Sequence, residues 1–392
     1  MASTNKHMES AKKKRSTVFL FVGFVISGFL LFFYSYTQVD LSLTLSSAGI
    51  LQSIQKAFQS IGYFQRPLAT TIFVGITTLM FGLYGLLLRQ IQKGLWTRKE
   101  LWKLILVLTT ILVFFYPAFS YDFFNYMFTA KTVLIYHKNP YDVIPLQFAG
   151  VDPWLNFMRW THLPSAYTPF WILLTLVPYT LGFGYFLLIM WAMKAMVAGF
   201  YLLAAAGLLR VLDKLKSPHS ILGLAIFAFN PLIIIETLVS GHNDIVMMAI
   251  VIWAIYCYLE KSKWTAGLLW AMSVGAKLMT LILAPLLVFG FRKWWALGLM
   301  SLGLLAVLTQ REVLAWYWVW IMPFVALIPE SRTLTILASS VSLGLTLRYI
   351  PYLYLGNWDP PAPEWKLWLT LTPIFLASLW LLVSRRRSSR KA

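Results

Sequence analysis

The feature that most constrains this chain is a run from 18 to 36 without one charged residue, two residues after Lys12-Lys13-Lys14-Arg15. A helix that crosses the hydrocarbon core needs about 20 apolar residues, because the core is roughly 30 Å thick. Apolar runs, some with one or two charged residues, recur near 67–88, 103–120, 185–210, 220–237, 244–259, 264–277, 278–291, 294–309, 314–329, 332–351 and 367–384. In lipid every backbone polar group must be satisfied within the protein, so such runs fold as helices unless they close a barrel. The predicted fold class is all-α: a polytopic integral membrane protein of about twelve transmembrane helices. The first run is longer than a signal-peptide core and no small-x-small cleavage site follows it, so it reads as a retained helix. The segment 168–181 is short and interrupted by Pro169 and Pro178, and reads as re-entrant or interfacial.

Charge supports this reading and excludes others. Only 12% of the residues are charged, against roughly 25% in soluble domains. The net charge of +19 would suggest nucleic acid, but a solvated basic surface cannot be built from so few charges, and no nucleic-acid partner is expected. A basic membrane chain also follows from the excess of Lys and Arg in cytoplasmic segments. With 89–103, 210–216, 260–263, 292–293, 330–332 and both termini inside, those segments hold about 23 of the 33 Lys and Arg and about 5 of the 14 acids. The chain is then one domain over 1–392, with cytoplasmic basic tails at 1–16 and 385–392. An extracytoplasmic loop over 121–167 carries short interfacial helices. Cys257 stands alone in an apolar run, so there is no disulfide framework and no cysteine metal site.

Ionisable residues at membrane depth are costly and mark function. Those on the outer side fall in four groups. The first opens the loop: Ser120-Tyr121-Asp122-Phe123-Phe124-Asn125-Tyr126, then Lys131, Asn139-Pro140-Tyr141-Asp142, Arg159, His162 and Ala166-Tyr167-Thr168-Pro169. Asp122 lies among apolar residues at a helix end, whereas Lys138, Asp142 and Asp152 read as a solvated loop. The second is Glu236 with Gly241-His242-Asn243-Asp244. Ser240 or Asn243 suits a helix cap, but capping leaves His242 and Glu236 unexplained, and a glycine turn, a histidine and a helix N-terminus also suit a phosphate. The third is Lys277, either snorkelling to the headgroups or offering a cation to a lipid-linked phosphate. The fourth is Arg311 with Trp316 and Tyr317, whose aromatic run is either an interfacial belt or the lining of a groove.

A carboxylate, a histidine, cations and aromatic rings on one membrane face suit chemistry on a polar group carried by a lipid. A carboxylate can serve as general base toward a sugar hydroxyl, and cations can stabilise charge growing on a phosphate leaving group. Neither GxxxxGK[ST] nor a strand-flanked GxGxxG is present, which argues against nucleotide chemistry. No cofactor is required by this reading. Asp122, Asp244 and His242 are residue types that can hold a divalent metal, though nothing in their spacing demands one. The alternative is a transporter or flippase for a lipid-linked or anionic substrate, which would place charges such as Glu236 and Lys194 near the bilayer midplane.

At these residues the chain resembles the GT-C glycosyltransferases, membrane enzymes that use polyprenyl-phosphate sugars. It is most similar to the prokaryotic polyprenol-phosphate-mannose-dependent α-mannosyltransferases, such as the mycobacterial α-1,6-mannosyltransferases of lipomannan synthesis. The resemblance runs over about 120–325, through Tyr121-Asp122 with Tyr126, Asn139-Pro140-Tyr141, Tyr167-Thr168-Pro169, Gly241-His242-Asn243-Asp244 and Trp316-Tyr317. It implies that Asp122 is the catalytic base in a single inverting displacement, with mannose as the expected sugar. The polyprenyl-phosphate donor and a glycan or glycolipid acceptor would meet on the outer face of a prokaryotic cell membrane. His242, Lys277, Arg159, His162 and Arg311 would lie near the donor phosphate. Tyr121, Tyr126, Tyr167, Glu236, Asn243, Asp244, Trp316 and Tyr317 would contact substrate. The chain departs from the family pattern in having Ala166-Tyr167-Thr168-Pro169 where related enzymes often have Pro-Tyr-Gly-Pro, and in having two helices ahead of the one that leads to Asp122.

Overall fold

The computed structural model describes residues 2–389, with side chains described from 15 to 384. The charges of the two basic tails therefore lie outside the described side chains, apart from Arg15. About 75% of the structure is helical, and the described residues contain no strand. The chain opens with α1 (Ala2–Thr37), the short surface helix α2 (Gly49–Gln59), α3 (Arg66–Gln92) and α4 (Arg98–Val113). Next come α5 (Asp122–Leu134), α6 (Pro169–Leu181), α7 (Phe186–Lys214) and α8 (Ser220–Ala228). Then follow α9 (Pro231–Ile233), continued by a π-helical turn over Ile234–Val239, α10 (Asp244–Leu259) and α11 (Lys263–Ala276). The last part holds α12 (Ala284–Phe289), α13 (Lys293–Leu308), α14 (Met322–Ala326), α15 (Arg332–Leu347), α16 (Ile350–Leu355) and α17 (Ala362–Ser389).

Among the described residues five stretches are long and apolar enough to cross a membrane: Arg15–Thr37, Arg66–Gln92, Phe186–Lys214, Arg332–Leu355 and Ala362–Ser384. A sixth forms if Ser220–Ala228 and Pro231–Val239, bent by 50°, count as one broken span. The other apolar runs are shorter helices. α10 and α13 have 16 residues each, about 24 Å long. A sequence run of apolar residues does not reveal where Pro and polar residues stop the helix within it. Lys277 separates α11 from a 3-10 turn over Leu278–Leu283, so two adjacent runs become three short pieces.

Helix ends follow local chemistry. Thr97 and Glu100 form a reciprocal capping box at the start of α4. Asn230 accepts the N–H groups of Leu232 and Ile233, so the chain restarts as a helix at Pro231 in a new direction. α10 is apolar all round and buried from Asp244 to Ile252, as a helix at the centre of a bundle must be. α17 is the opposite case: Leu367, Trp368, Phe375, Leu376 and Leu382 are all exposed, an apolar face that suits lipid.

Ion pairs fix which helix ends lie together. Arg98 reaches both carboxylate oxygens of Asp213 at 2.8 and 2.9 Å, joining the start of α4 to the end of α7. Lys214 lies 3.0 Å from Glu260, joining the end of α7 to the end of α10. α10 therefore ends among basic residues and begins, at Asp244, at the other end of the bundle.

The stretch expected as an outer loop is largely ordered against the bundle. α5 occupies its first part, and Phe123 to Ala130 are buried without interruption. Two 3-10 turns, at Pro145–Phe148 and Pro153–Phe157, follow α5. Segment 168–181 is the 13-residue helix α6, about 20 Å long and capped by Thr168.

Candidate active site

The site is built where the broken span ends. After the π-helical turn the chain reverses through Ser240-Gly241-His242-Asn243 and restarts as α10 at Asp244. Gly241 has φ +73, and a Cβ there would stand 2.6 Å from the Phe123 ring. Both conditions require glycine. Phe123 follows Asp122, so this close approach sets the turn that carries Asn243 and Asp244 against the first turn of α5. From beneath, the fully buried Lys194 on α7 donates to the carbonyl oxygens of Leu238 and Val239, the latter at 2.7 Å, and closes the end of the broken span.

Above this floor lies a cavity of about 1010 Å³. Asp122, Asn125, Asn243, Asp244, Lys277 and Arg311 supply its polar wall. Tyr126, Tyr167, Trp316, Tyr317 and Trp320 supply its rings. Tyr126 packs edge-to-face on Tyr167 at 4.7 Å and on Trp171 at 5.1 Å, which holds its ring upright at the wall. An apolar flank runs along Leu278, Leu281 and Ile282 toward α13, and Leu278 and Leu281 are exposed.

The two carboxylates in the cavity differ. Asp244 is buried, and its Oδ1 accepts both the ammonium of Lys277 at 2.7 Å and the indole N–H of Trp320. Lys277 is extended at the break after α11, with its ammonium 5.5 Å from the centre of the Trp320 ring. Thr168 donates to the carbonyl of Ala276 at 3.0 Å and ties the Tyr167 loop to that same break. Asp122 has only a backbone bond, its N–H donating to Ser120 at 3.2 Å. Among the described residues no cation or hydrogen-bond donor engages its carboxylate.

Of the residues singled out from sequence, Asp122, Tyr126, Tyr167, Asn243, Asp244, Lys277, Arg311, Trp316 and Tyr317 line this one cavity. Five do not. His242 and Glu236 are buried behind it: Nδ1 of His242 lies 3.0 Å from Oε2 of Glu236, and Tyr349 donates to Oε1 of Glu236 at 2.6 Å. The His242 ring stacks on Trp316 at 4.3 Å, so it reaches the cavity only through that indole. Burial lowers the His242 pKa, but the Glu236 carboxylate beside it, with Asp122 and Asp244 beyond, leaves it raised above the ordinary 6.5. Tyr121 donates to Asp40 at 3.3 Å, and Arg159 covers the Tyr121 ring at 4.6 Å while lying 3.7 Å from Asp40. His162 is exposed and outside the lining.

The segment beyond α5 is held by Asp152, which reads from sequence as solvated, whereas Lys138 and Asp142 are exposed. Asp152 is buried and accepts from Lys131 at 2.5 Å, from Tyr136 at 2.8 Å and from the backbone of Trp154 at 3.0 Å. Burial first, and then Asp152, push the Tyr136 phenol up to about 12. Tyr141 donates to the carbonyl of Tyr167 at 2.7 Å, which connects the Asn139-Pro140-Tyr141 turn to the cavity wall. Sequence reading misses Asp40, which sits in a polar stretch with no motif, and does not set Trp320 apart from the other aromatic residues of its run, which read as a belt or a groove lining. No group of three or more His, Cys, Asp or Glu among the described residues is placed to hold a metal ion.

A family model described as alpha-(1->6)-mannopyranosyltransferase, N-terminal domain, matches residues 21–291. The match includes Asp122, the 241–244 turn and Lys277, and ends before Arg311 and the Trp316-Tyr317 pair. Neither the curated proteins nor the solved structures give a match. The chain belongs to the alpha-(1->6)-mannopyranosyltransferase family, and it is a membrane glycosyltransferase of the mannosyltransferase kind.

Proposed function

We propose that the chain is a GT-C-type inverting mannosyltransferase with about twelve membrane crossings. It would move mannose from a polyprenyl phosphate to a glycan or glycolipid acceptor at the outer membrane face. The observation that carries the proposal is the unequal pair of carboxylates. Asp244 is occupied by Lys277 and Trp320, whereas Asp122 faces the same cavity without a partner among the described residues.

Asp122 takes the proton from the acceptor hydroxyl. The oxygen attacks the anomeric carbon from the face opposite the phosphate, and the bond from that carbon to the phosphate oxygen breaks. Its electron pair leaves on the phosphate. Lys277 and Arg311 offset the charge that gathers there, with Lys277 held in place by Asp244. Tyr126, Tyr167, Trp316 and Tyr317 offer ring faces and edges to the sugars, and His242 acts by bracing Trp316. The exposed flank at Leu278 and Leu281 gives the polyprenyl chain a route to lipid. A cavity of about 1010 Å³ lies at the upper end of the usual range for ligand sites, which suits a donor and an acceptor held together. The charge tally supports both termini inside and the cavity outside. The transporter alternative is set aside, because the matched family is a transferase family.

The test is direct: membranes containing the full chain receive polyprenyl-phosphate mannose and a mannoside acceptor, and the product linkage is read by NMR. An α product from a β-linked donor supports inversion. Retention of configuration contradicts the mechanism.

A further inference from the structure

A second cavity, of about 700 Å³, opens at the other end of α13. That helix begins at Lys293 in the second cavity and reaches Ala306 and Val307 in the first. Its 16 residues separate the two by about 24 Å. The second cavity is therefore at the basic end of the bundle, where the charge tally puts the cytoplasm.

Its lining joins cations to amphipathic rings: Lys216, His219, Arg292 and Lys293 with Trp294 and Trp295. One acid, Glu330, is present and pairs with Lys293. Burial would raise the Glu330 carboxyl, but the Lys293 ammonium, with His219 beyond it, holds it below the ordinary carboxylate range. It stays ionised at neutral pH and cancels one charge. Lys216 and Arg292 have no carboxylate partner among the described residues. Arg292 lies over Trp295 at 5.5 Å. Both tryptophans are about half exposed, and Val288 and Phe289, just ahead of the cavity in sequence, are exposed by 76% and 72%. Two unpaired cations thus stand beside apolar surface that faces outward. A soluble anion needs only the first feature, whereas an amphiphile uses both.

We propose that this cavity seats the phosphate headgroup of an anionic lipid from the leaflet opposite the catalytic cavity. Lys216 and the guanidinium of Arg292 engage the phosphate. Trp294 and Trp295 border the glycerol and the first part of the acyl chains. The inference is independent of the reaction proposed above, since none of these residues lines the first cavity.

Native mass spectrometry of the full chain, titrated with phosphatidylglycerol or phosphatidylcholine in detergent, tests it. The unmodified protein is expected to retain phosphatidylglycerol preferentially at one site. Lys216→Gln with Arg292→Gln is expected to weaken that site roughly thirtyfold. The charge-matched Lys93→Gln with Lys263→Gln, also on the basic face, is expected to leave it unchanged. Equal retention of the two lipids by the unmodified protein overturns the proposal, as does equal weakening in the two double variants. Displacement of the lipid by inorganic phosphate at the same concentration would make the occupant a free anion and also overturn it.

Discussion

Nζ of Lys277 lies 2.7 Å from Oδ1 of Asp244, whereas no cation among the described residues engages Asp122 in the same cavity. Asp244 is buried at the head of α10 and spends its charge on the lysine and on Trp320. Lys277 gains a fixed position at the break after α11. The proposed reaction therefore assigns the base to Asp122, whose carboxylate faces the cavity without such contacts among the described residues.

The first consequence concerns stability. In Lys277→Met the buried Asp244 loses its cation, and unfolding is expected to become easier by about 1–3 kcal/mol. That is below the full cost of a broken buried pair, because the lysine is 31% exposed. In Lys277→Met with Asp244→Asn most of the loss is expected to return, since no charge is stranded. Thermal unfolding of the two variants in detergent measures the difference, and equal destabilisation in both would show that the pair is not coupled.

The turn at Gly241 gives a second. In Gly241→Ala a side chain is forced into φ +73 and toward the Phe123 ring. A loss of about 1–3 kcal/mol is expected, together with reduced transfer, because Asn243 and Asp244 shift relative to Asp122. A variant with unchanged unfolding and unchanged activity would mean that the turn does not set the cavity floor.

His242 supplies the pH dependence. Its pKa is raised in the folded protein, so the stability drawn from its pairing with Glu236 is complete below the unfolded value of about 6.5. It is lost as pH rises through the higher folded value. His242→Gln is expected to be less stable at pH 6 and to lose the fall in unfolding temperature between pH 6 and 9. An identical fall in protein and variant would remove His242 as its source.

Asp152 separates loop order from chemistry. Asp152→Ala removes the acceptor for Lys131, Tyr136 and Trp154, and limited proteolysis between 136 and 160 is expected to speed up by about tenfold or more. The cavity carboxylates are untouched by that change. Unaltered cleavage would show that the segment is held by its apolar packing alone.

The sequence makes part of this architecture legible, and physics explains which part. Asp122 and the Gly241-His242-Asn243-Asp244 turn stand out because polar residues between apolar runs are costly in a membrane. The aromatic residues Tyr126, Tyr167 and Trp316 keep that same neighbourhood. What sequence cannot convey is direction. His242 reads as a phosphate ligand, but the turn points it inward to Glu236 and behind Trp316. Asp152 reads as solvated, yet three donors from neighbouring segments enclose it. α2 passes unnoticed, although Ile50, Leu51 and Ile54 repeat at helical spacing and are exposed on its surface, because its apolar run is too short to suggest a span. The break at Lys277 is hidden for the reverse reason, since both flanks are apolar and only the backbone shows where the helix stops.

Activity in EDTA bears on the phosphate. Lys277 and Arg311 are assigned the charge of the leaving group, so transfer is expected to be within about twofold of the untreated rate. Loss of transfer in EDTA, restored by Mg²⁺ or Mn²⁺, would move that role to a metal.

The measurement closest to the central claim is the transfer rate of Asp122→Asn in membranes supplied with polyprenyl-phosphate mannose and acceptor. The unfolding temperature is measured beside it. The amide keeps the shape of the side chain and removes the base. A fall of about 10²-fold or more with an unchanged unfolding temperature is expected. Full activity in that variant would contradict the assignment of Asp122 and, with it, the division of labour between Asp122 and Asp244.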